Sequence, residues 1–153
     1  MSIKLLIADD HEVVRCGLRS MIADTDIEIV AEASTGDEAI QRAVEAEPDV
    51  VLMDIRMPGG DGLNALGRLK LERPDMPVLM LSTYDNPTYV ARAVALGAAG
   101  YILKGVSRHD LLEAIQKVAR GEGAWTRDEL RRVTGALATP RLNADVEVPL
   151  TQR

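Results

Sequence analysis

The sequence predicts an α/β fold, a doubly wound five-stranded parallel sheet of the (βα)5 kind, followed by a short extra helix and a linker. Three observations predict it. Five short apolar runs, at 3–8, 27–33, 50–53, 77–82 and 99–103, are rich in Val, Ile and Leu with few polar alternations. Strands covered on both faces read that way. Between the runs lie segments whose apolar residues recur every three to four positions, the period of an amphipathic helix. The two kinds alternate five times, up to about residue 121, and such alternation implies right-handed crossovers and a parallel sheet.

The elements follow in order. After the first run, Val13, Val14, Gly17, Leu18, Met21 and Ile22 mark one helical face. The second helix opens on Thr35-Gly36-Asp37-Glu38, which reads as a capping box, and continues through Ala39, Ile40, Ala43 and Val44. Pro58, Gly59, Gly60 and Gly62 suit a tight loop beside the end of the third strand. Asn86-Pro87 puts a cap residue before a first-turn proline. Ser107 caps the fifth helix, with Leu111, Leu112, Ile115 and Val118 on its face and Gly121 where it should stop. Beyond that, Thr126-Arg127-Asp128-Glu129 reads as another capping box. It opens a short helix over 126–137 with Leu130, Val133 and Leu137 on one side. Residues 138–149 hold two prolines, mixed charge and no clear period, as a linker does.

Composition bounds the function. The chain has 153 residues, 46% hydrophobic, enough for one compact domain with an appendage. It has no Phe, so the core is Leu, Val, Ile, Ala and Met, with Met53, Met76 and Met80 as filler. A net charge of −6 argues against nucleic-acid binding by this stretch. The one cysteine, Cys16, cannot form an internal disulfide, which fits a reducing cytoplasm, and it is expected on the apolar face of the first helix. No stretch approaches the ~20 apolar residues of a membrane span, and Met1-Ser2-Ile3-Lys4 lacks the apolar region of a secretion signal.

Ligands of a doubly wound sheet sit outside the carboxyl ends of its strands, so the residues there carry the chemistry. The first strand runs into Asp9-Asp10, the third into Asp54, the fourth into Ser82-Thr83, and Lys104 follows the fifth. Any one of these alone could cap a helix or meet solvent; the constellation is specific. Three carboxylates in one cleft repel each other unless a cation neutralises them. Oxygen-only ligands with room for water and phosphate suit Mg2+. Ser82 and Lys104 complement a phosphoryl oxygen. The set describes phosphoryl transfer to a carboxylate, with Asp54 as nucleophile. His11 follows the acidic pair but reads as a first-turn helix residue, since Mg2+ prefers oxygen.

Leu5-Leu6-Ile7-Ala8-Asp9-Asp10-His11, then 54–62 (Asp-Ile-Arg-Met-Pro-Gly-Gly-Asp-Gly), then 97–104 (Gly-Ala-Ala-Gly-Tyr-Ile-Leu-Lys) closely resemble the receiver domain of two-component response regulators, a flavodoxin-like (CheY-like) fold. The resemblance covers about residues 3–121. The Lys104-Gly105 step, where many receivers have Lys-Pro, resembles the NarL/FixJ branch. Residues 148–153, Val-Pro-Leu-Thr-Gln-Arg, resemble the entry to that branch's LuxR-type helix-turn-helix domain. The implied organisation is a receiver at 1–121, a linker at 122–149 with a short helix, and at 150–153 the start of a DNA-binding domain, the chain being a fragment of a longer regulator.

The resemblance implies roles. Asp54 is the phosphoacceptor. Asp10, Asp54 and the backbone carbonyl of Arg56 bind Mg2+ directly, and Asp9 acts through water. Ser82, the Thr83 backbone amide and Lys104 bind the phosphoryl group. Ser82 and Tyr101 form the switch: Ser82 turns toward the new oxygens and Tyr101 moves inward, although by its residue type alone Tyr101 reads as a half-buried ring. Arg56 and Tyr84 stand where the family tunes loss of the phosphoryl group, Arg56 either reaching over the site or pointing to solvent. The partners implied are a sensor histidine kinase, a second copy on phosphorylation, and DNA through the further domain, in the cytoplasm and without a membrane. Catalysis is confined to the receiver's own phosphorylation and dephosphorylation. Trp125 reads as packing the extra helix onto the domain.

Three other readings compete. A haloacid-dehalogenase-like phosphatase needs its nucleophile after the first strand with a second acid two residues on; Arg56 stands two after Asp54, and His11 two after Asp9. A flavodoxin-like electron carrier needs a hydroxyl- and glycine-rich phosphate loop where Asp9-Asp10 would repel phosphate. A stand-alone receiver that shuttles phosphate or docks on a protein is the third.

Overall fold

A computed structural model describes residues 2–58, 61–83 and 86–125, with residues 129 and 131. Five strands and five helices alternate: β1 (Ile3–Ala8), α1 (Glu12–Ile22), β2 (Ile27–Ala33), α2 (Gly36–Ala46), β3 (Val50–Asp54), α3 (Gly62–Glu72), β4 (Val78–Ser82), α4 (Pro87–Ala95), β5 (Gly100–Leu103) and α5 (Arg108–Ala119). The strands are parallel in the order β2-β1-β3-β4-β5. The expected helix over 126–137 and the linker stretch 138–149 lie outside the described residues, apart from positions 129 and 131.

The unbroken apolar runs have a plain cause. Successive strand residues point to opposite faces, and both faces are covered. Leu6, Val51, Met53, Val78, Met80 and Tyr101 join one core with Leu63, Leu66 and Leu69 of α3. Leu5, Ile7, Val50, Leu52, Leu79 and Leu81 join the other with Leu18, Ile22, Leu111 and Ile115 of α1 and α5. β2, at the sheet margin, is only partly covered. Between Leu5 and Leu6 its register against β1 slips, so Ile29 and Ala31 face consecutive β1 residues and Val30 is extra.

Capping chemistry sets the helix starts. Thr35 Oγ1 accepts the Glu38 amide at 3.1 Å, and the Glu38 carboxylate reaches back to Ser34, one residue before the capping-box position. Asn86, Ser107 and Asp61 accept amides from Thr88, Asp110 and Asn64. Asp61 is a cap that the sequence reading did not single out. α5 ends at Gly121 with φ 85°, a left-handed position that glycine occupies without strain.

The α1 face is narrower than its spacing predicts. Leu18 and Ile22 are buried, but Val13 and Cys16 are exposed. Cys16 lies about 200° around the helix from Leu18, since each residue turns about 100°; it is not on the apolar face.

Glu47 closes α2 in the left-handed region at φ 49°, its amide bonded to the Ala43 carbonyl. A side chain there is strained. Glu47→Gly is expected to raise stability by about 0.5–1 kcal/mol, measured as a higher urea midpoint with an unchanged slope.

Candidate functional site

Strand register builds the site. Ala8 pairs with Met53, so Asp9 comes alongside Asp54. Asp54 pairs with Leu81, which puts Ser82 one step further, and Ser82 pairs with Leu103, which does the same for Lys104. The Lys104 amide donates to the Ser82 carbonyl at 2.8 Å. The order β2-β1-β3 places the β1 and β3 ends where the winding reverses, the place where such sheets open a crevice. A cleft of about 500 Å3 is lined there by Asp10, Asp54, Arg56, Ser82, Thr83 and Lys104, with His11, Met57 and Pro58 at its margin.

Its electrostatics are unbalanced toward negative charge. Asp9, Asp54 and Ser82 are buried, and Asp10 is partly exposed. The Lys104 ammonium bridges the two buried acids, hydrogen-bonding Asp54 Oδ2 at 3.1 Å and standing 2.9 Å from Asp9 Oδ2. Burial first, and the Asp9 charge second, push the Asp54 carboxyl above the usual carboxylate range; Lys104 and the Arg56 amide, 3.4 Å from Oδ1, oppose this. Burial works against the Lys104 charge, but Asp9 and Asp54 more than offset it and raise its pKa.

His11 is the N-cap of α1, one residue ahead of the first turn, and its own side chain does not cap. Its amide donates to Asp9 Oδ1 at 2.9 Å, and its ring Nδ1 lies 3.0 Å from Asp10 Oδ1 and 3.3 Å from Asp9 Oδ1.

The donor set fits a hard divalent cation. Carboxylate oxygens of Asp9, Asp10 and Asp54 come within 4.8 Å of one another, with a nitrogen of His11. Asp9 Oδ2 and Asp10 Oδ1 are buried, the first 2.9 Å from the Lys104 ammonium and the second 3.0 Å from the His11 ring nitrogen. Three carboxylates drawn together with one ammonium between two of them leave an excess of negative charge, which a cation relieves.

Of the predicted residues, the fold therefore gathers Asp9, Asp10, Asp54, Arg56, Ser82, Thr83 and Lys104. Tyr101 stands apart from this cleft. Its ring is buried, 2% exposed, rather than half-buried. It lines a larger neighbouring cleft that shares Thr83 and Lys104 with the first. Tyr84, Gly59 and Gly60 lie outside the described residues.

Two residues were not legible as site-builders. The Arg15 guanidinium holds the backbone carbonyl of Asp9 and also pairs with Glu12 at 2.6 Å and Glu32 at 3.1 Å. Nothing in the α1 pattern signals this, because Glu32 reaches Arg15 only once β2 lies beside β1. Gly62 reads as a loop glycine, yet it opens α3 with its amide 2.5 Å from the Ile55 carbonyl. A Cβ there would stand 1.9 Å from the Asp54 carbonyl oxygen.

Comparison with known proteins places this arrangement. The family model described as the response regulator receiver domain matches residues 5–116. The chain belongs to the response regulator receiver family. Response regulator protein VraR of Staphylococcus aureus (strain Mu3 / ATCC 700698) is 38% identical over 154 residues, spanning all of this chain and 72% of that protein. A LuxR-family two-component response regulator from Aurantimonas sp. SI85-9A1 superposes with a TM-score of 0.81 at 26% identity, over 90% of this chain and 99% of that one. A LuxR-family DNA-binding response regulator from Staphylococcus aureus does so at 0.72 and 33% identity, over 76% and 98%. The relatives of this receiver thus include LuxR-family and NarL response regulators. Among its described residues, no helix is long and apolar enough to cross a membrane.

Proposed function

We propose that this receiver accepts a phosphoryl group on Asp54 from phosphohistidine of a sensor kinase and so switches a transcriptional regulator. The observation that carries the reading is the placement of Asp54: a buried carboxylate at a strand end, with an ammonium at 3.1 Å and a buried serine lining the same cleft. An Asp54 oxygen attacks phosphorus. The P–N bond breaks, and its electron pair returns to the imidazole, which takes a proton. Lys104, Ser82 and the Thr83 amide hold the phosphoryl oxygens as charge builds on them. Water later cleaves the acyl phosphate. Asp10, Asp54 and the Arg56 carbonyl would hold Mg2+, with Asp9 acting through water. When bound, the ion screens nucleophile and phosphate from each other.

On this reading Ser82 turns toward the phosphoryl oxygens and Tyr101 is held inward, which biases the surface of α4, β5 and α5. Residues 1–121 form the switch and 122–149 link it to a DNA-binding domain beginning at 150; phosphorylation favours a homodimer. The LuxR-family regulators among its relatives support this output, and the single cysteine, Cys16, which cannot form an internal disulfide, fits work in the cytoplasm.

Acetyl phosphate with Mg2+ is expected to add one phosphoryl mass, read by intact-protein mass spectrometry. Asp54→Asn is expected to add none. Equal labelling of the variant would remove Asp54 from the mechanism, and steady release of phosphate from a simple phosphate ester would favour a phosphatase.

A further inference from the structure

After α5 the chain reverses and lies against the sheet. Gly121, in its left-handed conformation, lets the Glu122 amide return to the Lys117 carbonyl at 2.9 Å. The chain then runs beside β5: the Ala124 amide donates to the Ala99 carbonyl at 2.8 Å, and Ala124 forms a parallel bridge with Gly100. The fit is close, since a Cβ on Gly100 would stand 2.9 Å from the Ala124 Cβ and 3.1 Å from its carbonyl oxygen. The next residue is Trp125, the only tryptophan in the chain. It packs against the core cluster that contains Tyr101, and it lines the cleft of about 920 Å3 that Tyr101, Thr83 and Lys104 also line.

We infer that residues 122–125 form a strap whose seat on β5 is linked to the inward position of Tyr101. This rests on the proposed phosphorylation of Asp54. The physical argument is one of shared space. With Tyr101 buried in the core, Trp125 closes the margin of β5 beside it. A Tyr101 ring turned outward enters the cleft that Trp125 borders and crowds the indole. Strap and inward ring therefore favour each other, and by linkage each raises the other's population. Thr83 and Lys104 touch both clefts, so a phosphoryl group on Asp54 acts on the strap through residues that bind it. The occupant of the β5 margin is the chain's own segment, which hands the switch to whatever follows Trp125.

The test uses the whole chain, with acetyl phosphate and Mg2+, and two readouts. Mass spectrometry reports phosphorylation; Trp125 emission and acrylamide quenching report the strap. Phosphorylation is expected to shift the emission to the blue and lower the quenching. Ala124→Pro, which removes the amide donated to Ala99 and so unseats the bridge to Gly100, is expected to keep full phosphorylation and lose the response. A phosphorylated protein whose tryptophan signal is unchanged or shifts to the red overturns the strap alone. An undiminished response in Ala124→Pro does the same. Failure to phosphorylate overturns the reading of Asp54 and the strap with it.

Discussion

Gly62→Ala is expected to destabilise the domain by about 2–4 kcal/mol and to slow phosphorylation of whatever still folds. The added methyl would sit 1.9 Å from the Asp54 carbonyl oxygen and 2.8 Å from its carbonyl carbon. Both are backbone atoms, so no rotamer change relieves the clash. Either α3 withdraws from β3, breaking the bond from the Gly62 amide to Ile55 and loosening Leu63 and Leu66 from the core, or Asp54 tilts out of line with Asp9 and Lys104. Urea unfolding gives the stability loss. The rate of acetyl phosphate labelling gives the second effect. A variant with wild-type stability and rate would show that the Gly62 contact is unimportant.

Lys104→Met is the second large effect. It leaves two buried carboxylates facing each other without the ammonium that spans them. Loss of charged contacts of this kind costs about 2–3 kcal/mol near neutral pH. The pH dependence has a definite sign. Asp54 is already held above its ordinary range, so the folded state binds its proton more tightly than the unfolded state. Its charge therefore lowers stability as pH rises from the ordinary carboxylate range through the folded pKa. Without Lys104 that pKa rises further. The deficit of Lys104→Met is thus greatest near neutrality and shrinks on acidification, as Asp54 takes up a proton. Added Mg2+ is expected to recover part of it. Thermal unfolding across pH, with and without the ion, measures both; a pH-independent deficit would argue that Lys104 acts through packing alone.

Much of this was legible in the chain. A strand run needs only its own residues to be recognised, and Ile3–Ala8 and Ile27–Ala33 match the structure to the residue. Strand ends are where doubly wound folds gather function, so Asp9, Asp10, Asp54, Ser82 and Lys104 could be named before their distances were known. Less legible was whatever depends on a partner distant in the chain. Cys16 is exposed because α1 meets the sheet along Leu18 and Ile22, a docking angle that periodicity does not specify. Arg15 serves the site through Glu32 and the Asp9 carbonyl, which only the sheet brings near. Tyr101 is buried because Trp125 and the other hydrophobics of its cluster surround it, whereas its residue type predicts only an amphipathic ring.

The extra residue in β2 bears on solubility. With Ala124 bridged to β5, β2 is the margin of the sheet left open among the described residues. An open margin offers unpaired amides and carbonyls to any strand of another molecule. Here the bulge at Val30 breaks the regular spacing such a partner would need, and the exposed Glu28 sets a charge on the same strand. The domain therefore guards itself against fibril-like growth at the strand that its own fold leaves uncovered.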